Sequence, residues 1–310
     1  MKIIRNFSHI PENSKESVIA LGNFDGIHLG HQEIIKEVKA QAKYLQKKTA
    51  LMTFFPHPQS FFKQQKVNIF KLRDKVALIK EQKIDFLFLV HFDRNFANLS
   101  AEEFVRDFLH EKLQVKHIVI GYDFIFGKNR SGNAIYLQQA AKQYNFGYSQ
   151  IASHKIAENN LIYSSSQVRD ALKEGNMIKA KLLLGKNYFI TNRVINGVKR
   201  GRNLGFRTIN LDLDQLYLPK FGVYAVFAHI KGKKFTAVAN LGVRPSFAEH
   251  KPLLEVHIFN FSDDLYNQKV KIEFIKFIRA EKKFSSQAAL TEQIKLDCYQ
   301  AKEVLNERLS

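Results

Sequence analysis

The chain has 310 residues, which allows two folded domains, and its 45% hydrophobic content favours globular structure over disorder. Its 48 lysines and arginines against 29 aspartates and glutamates leave a formal charge of +19, which favours anionic ligands, although lysines scattered along a sequence also suit a solvated surface. No apolar run reaches the length of a membrane span, and the single cysteine, Cys298, excludes an internal disulfide, so we expect a cytoplasmic protein.

The first strongly patterned stretch is a buried strand that leads into a helix. Val18–Leu21 is short, apolar and β-prone, and three glycines, Gly22, Gly26 and Gly30, follow it closely. Apolar residues then recur at helical spacing: Ile34, Ile35, Val38, Ala42 and Leu45. Because free backbone N–H groups and the helix dipole attract anions at a helix N-terminus, this stretch predicts a phosphate site.

Two histidines lie within the same stretch. His28 and His31 are three residues apart, so once the helix has begun both imidazoles can face one anion. A zinc pair is one alternative, but zinc needs further ligands, and the lone cysteine and the lack of a His-Glu-x-x-His pattern argue against it. Two solvated histidines beside a tight turn are the other alternative.

Residues 22–31 resemble the Gly-x-Phe-Asp-Gly-x-His-x-Gly-His signature of the adenylyltransferase half of bacterial bifunctional riboflavin kinases and FAD synthetases. The resemblance implies a Rossmann-like nucleotidyltransferase domain in which this stretch holds the phosphates of ATP while FMN attacks the α-phosphorus. It also implies that His28 and His31 are catalytic and that five residues contact the nucleotide: Gly22, Asn23, Phe24, Asp25 and Gly30.

A second strand is predicted at Thr49–Phe55, and Pro56-His57-Pro58 should end it and lead into a loop. The related family commonly has an acidic residue where this chain has Phe55, so only the Pro-His-Pro turn is carried over, as a wall of the site. His57 is otherwise a surface turn residue.

Helices and strands then alternate along the chain. The predicted elements are a basic amphipathic helix over 71–82, a strand at Asp85–Val90, a helix over 101–112 and a strand at His117–Ile120. This order predicts an α/β domain with a parallel sheet, helices on both faces and ligands at the carboxyl ends of the strands. Gly22 and Gly121 both follow such ends.

The segment Gly121–Asn133 is aromatic, bounded by glycines and basic. Aromatic faces can stack on a flat heterocycle, and Lys128 and Arg130 can meet phosphate, although aromatics beside a strand also serve as core. The segment resembles the family's Gly-x-Asp-Phe-x-Phe-Gly flavin motif. That resemblance implies flavin contacts from three residues: Asp123, Phe124 and Phe126.

Tyr163–Arg169 should open a helix, with Ser164 as its N-cap and Gln167 reaching back in a capping box. The apolar side of that helix is predicted to be Val168, Ala171 and Leu172. Beyond a cap alone, the stretch resembles the family's Ser-Ser-x-x-Ile-Arg motif. The resemblance implies that Ser164, Ser165 and a catalytic Arg169 contact the nucleotide phosphates, opposite the two histidines. A guanidinium suits this role because it can bind two phosphate oxygens bidentately.

Near Gly185 the alternation stops, which predicts an adenylyltransferase domain over 1–185 and a second domain over 186–310. Short β-prone segments suggest a closed antiparallel barrel: Tyr188–Val194, Gly222–Ile230, Lys234–Asn240, Leu253–Phe259 and Lys269–Ile278. Residues 286–307 are predicted to form a helix. Its expected buried positions are Leu290, Ile294, Leu296, Val304 and Leu305.

Gly197–Asn210 is rich in glycine and basic residues but lacks the Gly-Lys-Ser/Thr of a Walker A loop. It resembles the riboflavin kinase motif Gly-Arg-x-Leu-Gly-Phe-Pro-Thr-Ala-Asn, from which Arg207 and Ile209 depart. The resemblance implies Mg²⁺ ligands at Thr208 and Asn210 and ATP contacts from a further set: Gly201, Arg202, Gly205 and Arg207. A basic hairpin that merely turns the chain is the alternative.

Glu255 stands alone between apolar residues of a predicted strand, within one of three further blocks that follow the kinase pattern: 218–225, 240–247 and 254–259. Such a carboxylate can accept the proton of a ribityl hydroxyl as it attacks ATP, or can face solvent at a rim.

We therefore expect a bifunctional enzyme that converts riboflavin to FMN and FMN to FAD with ATP and Mg²⁺. An FAD synthetase with an impaired kinase module is one alternative, because of Arg207 and Ile209. A flavin-binding regulator and a basic RNA-binding protein are others, but RNA binding favours aromatics interleaved with basic clusters, whereas the aromatics here occupy apolar strand positions. We expect neither nucleic acid nor a membrane as a partner.

Overall fold

The computed structural model describes residues 1–152, 162–195, 206–213, 216–243 and 251–307. They form two compact units, residues 1–68 with 72–164 and residues 69–71 with 165–310. The predicted ATP contacts Gly201, Arg202 and Gly205 lie outside the described residues. No helix within the described ranges combines the length and apolarity needed to cross a membrane.

The first unit contains a sheet and its connecting helices. The strands are β1 (Lys2–Ile4), β2 (Val18–Leu21), β3 (Thr49–Phe55), β4 (Phe86–His91), β5 (His117–Gly121) and β6 (Gly147–Ile151). The helices are α1 (Leu29–Leu45), α2 (Pro58–Lys63), α3 (Leu72–Glu81), α4 (Arg94–Ala97), α5 (Ala101–Glu103), which continues as a π-helix (Phe104–Lys112), and α6 (Ala134–Gln143). Single 3₁₀ turns lie at Glu12–Ser14 and Lys128–Arg130.

The sheet has six strands in the order β1-β4-β3-β2-β5-β6, and every pairing is parallel. This confirms the predicted parallel α/β architecture. β2 pairs with β3 on one side and with β5 on the other. The strands that follow β2 in the chain therefore lie on both sides of it, β3 and β4 on one side and β5 and β6 on the other. Such a switch point opens a crevice at the carboxyl end of the strand, where Gly22 lies.

The interior of this unit follows the apolar pattern of the sequence. All four residues of β2 are buried, and α1 buries Ile34, Ile35, Val38 and Ala42 as predicted. The chain after Pro56 differs from prediction, because it forms α2 rather than a loop. Pro58 fits the first turn of a helix, and the Nδ1 atom of His57 accepts the N–H of Gln59 at 3.1 Å, so His57 is a buried cap and not a surface residue.

The second unit contains two helices, a barrel and a terminal helix. Its elements are α7 (Ser165–Glu174), α8 (Met177–Leu184), β7 (Phe189–Ile195), β8 (Thr208–Asp212), β9 (Gly222–Ile230), β10 (Lys233–Val243), β11 (Pro252–Ile258), β12 (Lys269–Ala280) and α9 (Gln287–Asn306). The barrel closes in the order β10-β11-β8-β7-β12-β9 with antiparallel neighbours. The predicted closed barrel is confirmed, with β8 as an additional strand.

The buried face of α9 differs from prediction at one position. Leu296 is 55% exposed, and the fully buried residues are Asp297, Cys298, Ala301 and Leu305. The 100° step of an α-helix places Leu296 opposite the face that carries Ile294 and Leu305, so the prediction for Leu296 was wrong. Asp297 is buried through an ion pair with Arg279, whose guanidinium atoms Nε and Nη2 donate to its two carboxylate oxygens at 2.8 and 2.7 Å. Leu290, Ile294 and Val304 are half-buried.

Two glycines of the barrel give a matched test of the strand packing. Gly222 has φ of +148°, and a Cβ there would lie 2.2 Å from the carbonyl oxygen of Arg279 on β12. Gly232 has φ of +81° in the turn between β9 and β10, and a Cβ there would meet nothing within 4 Å.

We predict that Gly222→Ala lowers the free energy of unfolding by about 3 kcal/mol, as overpacking does. Gly232→Ala should cost about 1 kcal/mol from backbone strain alone. Urea denaturation followed by circular dichroism measures both, and equal losses would contradict the packing argument.

Candidate active sites

The first site is the turn between β2 and α1. His28 is the N-cap of α1, and its Nδ1 atom accepts the backbone N–H of His31 at 3.3 Å. The two imidazole rings are stacked, with centroids 3.6 Å apart and planes 22° apart. A Cβ on Gly30 would lie 3.0 Å from the carbonyl oxygen of Tyr163, so that segment runs close to the start of the helix. The structure thus brings both predicted histidines to the helix N-terminus.

The backbone of this turn is strained. Phe24 and Ile27 have φ of 46° and 45°, although neither is a glycine and both are fully buried. Gly26, between them, has φ of 87°. Each of the two non-glycine residues costs about 1–3 kcal/mol in this conformation, which persists because the surrounding structure fixes it. The centroid of the Phe24 ring lies 5.2 Å from that of His31, so the strained segment packs an aromatic side chain beside this histidine.

Lys75 on α3 lies beneath the turn and is only 7% exposed. Its Nζ atom donates to the backbone oxygen of Asn23 and to Oγ1 of Thr53, the latter at 2.7 Å. Thr53 Oγ1 in turn donates to the Asn23 oxygen at 2.9 Å. Burial lowers the pKa of Lys75 to about 8, and the carboxylate of Asp25 opposes this shift.

Lys75 is a site residue that sequence reasoning missed, because the helix over 71–82 was interpreted only as basic and amphipathic. A signal was present. Lys75, Leu78 and Ile79 have the i, i+3, i+4 spacing of one helix face, and all three are buried. A lysine on the buried face of a helix is rare and requires polar partners.

The electrostatics of the turn keep His31 neutral. Burial is the main cause that holds its pKa well below its ordinary value, and the nearby charges of His28 and Lys75 act in the same direction. Among the described residues, His31 Nδ1 and Asn23 Oδ1 are buried without a hydrogen-bond partner. Since buried polar atoms are nearly always hydrogen-bonded in proteins, two such atoms at one turn indicate a place where a polar ligand binds.

The predicted flavin segment follows β5, next to β2 in the sheet. The rings of Phe124 and Phe126 stack at 5.7 Å, and Phe126 also contacts Phe104 at 5.4 Å. Backbone hydrogen bonds between Phe126 and Gly132 close the segment into a hairpin, and Asp123 is exposed. Both rings are half-buried against the core, so each combines a structural role with a remaining open surface.

The Tyr163–Arg169 motif lies at the division between the two units. Tyr163 and Ser164 belong to the first unit, and Ser165 and Arg169 to the second. Ser165 begins α7, which buries Val168, Ala171 and Leu172 as predicted. The capping role of Ser164 and the placement of Arg169 opposite the histidines stay predictions.

The second site is a cavity of about 400 Å³ in the barrel unit. Strands β8, β10 and β11 supply one wall, and the segment after β12 and the first turns of α9 supply another. The polar residues that line it are Thr208, Asn240, Glu255, His257, Arg279, Glu281, Lys282 and Asp297.

Strand register brings the predicted kinase residues together. Glu255 on β11 is directly opposite Asn210 on β8 and opposite Asn240 on β10. Leu254 and Val256 are fully buried, whereas Glu255 and His257 point to the other face of β11, where the cavity lies. Glu255 therefore lies in a polar row across three strands and lines the cavity, where it is partly exposed.

Thr208 and Asn210 lie two residues apart on β8, so their side chains share one face of the strand. Asn210 is 5% exposed, and its Oδ1 atom has no hydrogen-bond partner among the described residues. Hydroxyl and amide oxygens are ligands that suit Mg²⁺, so these residues fit the metal implied by the resemblance. Within the described ranges no group of three or more histidine, cysteine, aspartate or glutamate residues is arranged to hold a metal.

The start of β8 is held from two sides. Nη1 of Arg207 donates to the backbone oxygen of Ser262, and Nδ1 of His257 lies 2.8 Å from the backbone oxygen of Arg207. Because a carbonyl oxygen only accepts, His257 carries its proton on Nδ1. Both contacts tether the residue that stands where the resembling motif has proline. The contact of His257 was missed from the sequence.

The buried charge of Lys75 gives a prediction for stability against pH. Its pKa is about 8 in the folded protein and about 10.5 when exposed, so the unfolded chain binds more protons between these values. Stability therefore rises with pH in that window, and raising the pH from about 7.5 to about 9.5 should add about 2 kcal/mol from this residue.

The measurement is the urea unfolding free energy at the two pH values for the native protein, Lys75→Met and Lys80→Met. Lys80 is an exposed lysine of the same helix, so its variant should keep the native pH dependence. The Lys75→Met variant should lose the gain. The same pH dependence in all three proteins would show that Lys75 is not a buried cation.

Comparison with known proteins finds matches over both parts of the chain. A family model described as FAD synthetase matches residues 10–167, and one described as riboflavin kinase matches residues 184–305. Proteins named bifunctional riboflavin kinase/FMN adenylyltransferase match along their whole length. That of Buchnera aphidicola subsp. Schizaphis graminum is 38% identical over 99% of each chain, and that of Haemophilus influenzae is 38% identical over 99% of this chain and 100% of its own. The Bacillus subtilis protein is 38% identical over 94% of this chain and 93% of its own.

The fold also matches a solved structure. A crystal structure named as a macrolide-efflux protein from Streptococcus pneumoniae has a TM-score of 0.86 and 30% identity over 97% of this chain and 98% of its own. None of these comparisons supports an RNA-binding protein or an impaired kinase module. The two family models match in the order expected of such an enzyme, and the relatives share one name and match over nearly their whole length. The chain therefore belongs to the bifunctional riboflavin kinase/FMN adenylyltransferase family.

Proposed function

We propose that the two activities are divided between the two sites, with FMN adenylylated at the β2–α1 turn and riboflavin phosphorylated at the barrel cavity. The observation that carries this division is that each unit has its own arrangement suited to phosphate. One is a strained turn with two stacked histidines at a helix N-terminus, and the other is a row of asparagine and glutamate side chains facing a cavity. The two family models fall on these units in the same order.

In adenylylation, a phosphate oxygen of FMN attacks the α-phosphorus of ATP, and the bond to the β-phosphate breaks to release pyrophosphate. No neutral hydroxyl has to lose a proton, so the site needs alignment and charge stabilisation more than a base. The N–H groups at the start of α1 bind phosphate oxygens, and His28 and His31 add imidazole donors. Ser164, Ser165 and Arg169 complete the phosphate contacts, while Asp123, Phe124 and Phe126 hold the flavin.

In the kinase step, the terminal hydroxyl of the ribityl chain attacks the γ-phosphorus of ATP and ADP leaves. This nucleophile must lose a proton, and Glu255 accepts it. Thr208 and Asn210 would hold Mg²⁺, which when bound neutralises charge on the phosphates. Arg207 completes the contacts to ATP at the start of β8. The buried, unpartnered Oδ1 of Asn210 supports the metal assignment.

The catalytic domains extend over 1–185 and 186–310 in this proposal. The family model described as riboflavin kinase begins at residue 184, two residues before this division, and the one described as FAD synthetase ends at residue 167. The compact units divide earlier, between Ser164 and Ser165, so α7 and α8 group with the barrel. The buried, free thiol of Cys298 agrees with a reducing compartment such as the cytoplasm.

The base assignment is tested by Glu255→Gln, which keeps the shape of the side chain but cannot accept a proton. We expect the rate of FMN formation from riboflavin to fall about 100-fold or more, as loss of a general base does. Conversion of added FMN to FAD should stay at the native rate. Glu292→Gln removes an exposed carboxylate of α9 and serves as the control. Undiminished FMN formation by Glu255→Gln would refute the assignment.

The histidine assignment is tested by the His28→Ala, His31→Ala double variant. FMN should accumulate from riboflavin, and FAD and pyrophosphate formation should fall about 100-fold, because charge stabilisation at the transferred group is lost. His110→Ala removes an exposed histidine of the same unit and should change neither step. Normal pyrophosphate release by the double variant would place the chemistry elsewhere.

A further inference from the structure

One buried charge has no part in the chemistry described above. The ammonium group of Lys75 binds the main chain of the turn, at the oxygen of Asn23, and the carboxylate charge of Asp25 stabilises it. We propose that Lys75 is a positioning residue of the adenylyltransferase site, which fixes the Asn23 carbonyl and so the turn that receives the phosphates of ATP. This inference rests on the proposed role of that turn in nucleotide binding.

The geometry fixes one peptide plane. The Asn23 oxygen accepts from Lys75 Nζ and from Thr53 Oγ1, and Lys75 also donates to Thr53. Thr53 is fully buried on β3, which pairs with β2, so the anchor is part of the sheet. The Asn23 carbonyl belongs to the same peptide plane as the nitrogen of Phe24, whose φ is 46°. Hydrogen bonds to this oxygen therefore fix the orientation of the Asn23–Phe24 peptide plane, which is the first of the strained segment.

The charge of Lys75 has a second consequence for the same site. A neutral donor would satisfy the same two acceptors without the cost of burying an ammonium group. The positive charge acts on His31, because it helps to hold the pKa of that imidazole below its ordinary value, while the Asp25 carboxylate stabilises the ammonium group. A cation held below the phosphates attracts them without forming a contact that must break when pyrophosphate leaves.

The experiment measures FMN adenylylation in the full chain for Lys75→Met and Thr53→Val, alone and together. Lys75→Met should lower kcat/KM for ATP about 30-fold, with KM for FMN and the riboflavin kinase rate within twofold of native. Thr53→Val removes the shared hydroxyl and should lower kcat/KM for ATP about fivefold. Because both side chains act on one carbonyl, the double variant should be no worse than Lys75→Met. Lys80→Met, on the exposed side of α3, should match the native protein.

A purely structural lysine would give a different pattern. Its loss would lower Tm and impair the affinities for ATP and FMN alike, and the two substitutions would have multiplicative effects on kcat/KM; that result would overturn the proposal. Native kcat/KM for ATP in Lys75→Met would also overturn it. The His28→Ala, His31→Ala variant is assayed in parallel. If it still makes FAD at the native rate, the proposed nucleotide site fails, whereas loss in that variant with normal activity in Lys75→Met rejects the positioning role alone.

Discussion

The first unit depends on a turn that its own backbone does not favour. Two buried apolar residues, Phe24 and Ile27, adopt left-handed conformations directly after the central strand β2. Ordinary sequences avoid this arrangement, and it persists here because the turn is confined between the sheet, the start of α1 and the ammonium group below it. Fixed in this way, the turn holds the N-terminus of α1 and its two histidines at the carboxyl end of β2, the strand at the switch point of the sheet.

The two proposed sites differ in the groups that they offer to phosphate. The first offers main-chain N–H groups at the start of α1 together with two histidines. Among the described residues, the second offers side chains from neighbouring antiparallel strands, with Asn210, Glu255 and Asn240 in a row. The contrast agrees with the chemistry, because only the second reaction needs a group that removes a proton.

Much of this architecture could be predicted from local sequence. Strands β2, β3 and β5 are apolar enough to be recognised alone, and the histidine pair falls at a recognisable strand-to-helix transition. The alternation of Glu255 with apolar neighbours also located it on a strand.

Some parts could not be predicted because they depend on contacts between distant residues. Lys75 donates to the oxygen of Asn23, 52 positions away in the chain, and the buried Asp297 of α9 pairs with Arg279 of β12. Hydrophobic periodicity describes one element at a time and does not show such partners. The interpretation of His57 was wrong for a local reason, because Pro58, taken as part of a strand stop, begins a helix.

The ion pair between Arg279 and Asp297 has a consequence for the order in which the protein matures. It joins the end of β12 to α9, and both residues line the barrel cavity. α9 follows all six barrel strands in the chain, so a ribosome must release this helix before the cavity wall exists. The first unit, made earlier, has all the strands of its sheet by Ile151. During synthesis, which proceeds from the N-terminus, the adenylyltransferase sheet is therefore complete while the pocket for the preceding reaction is still unfinished.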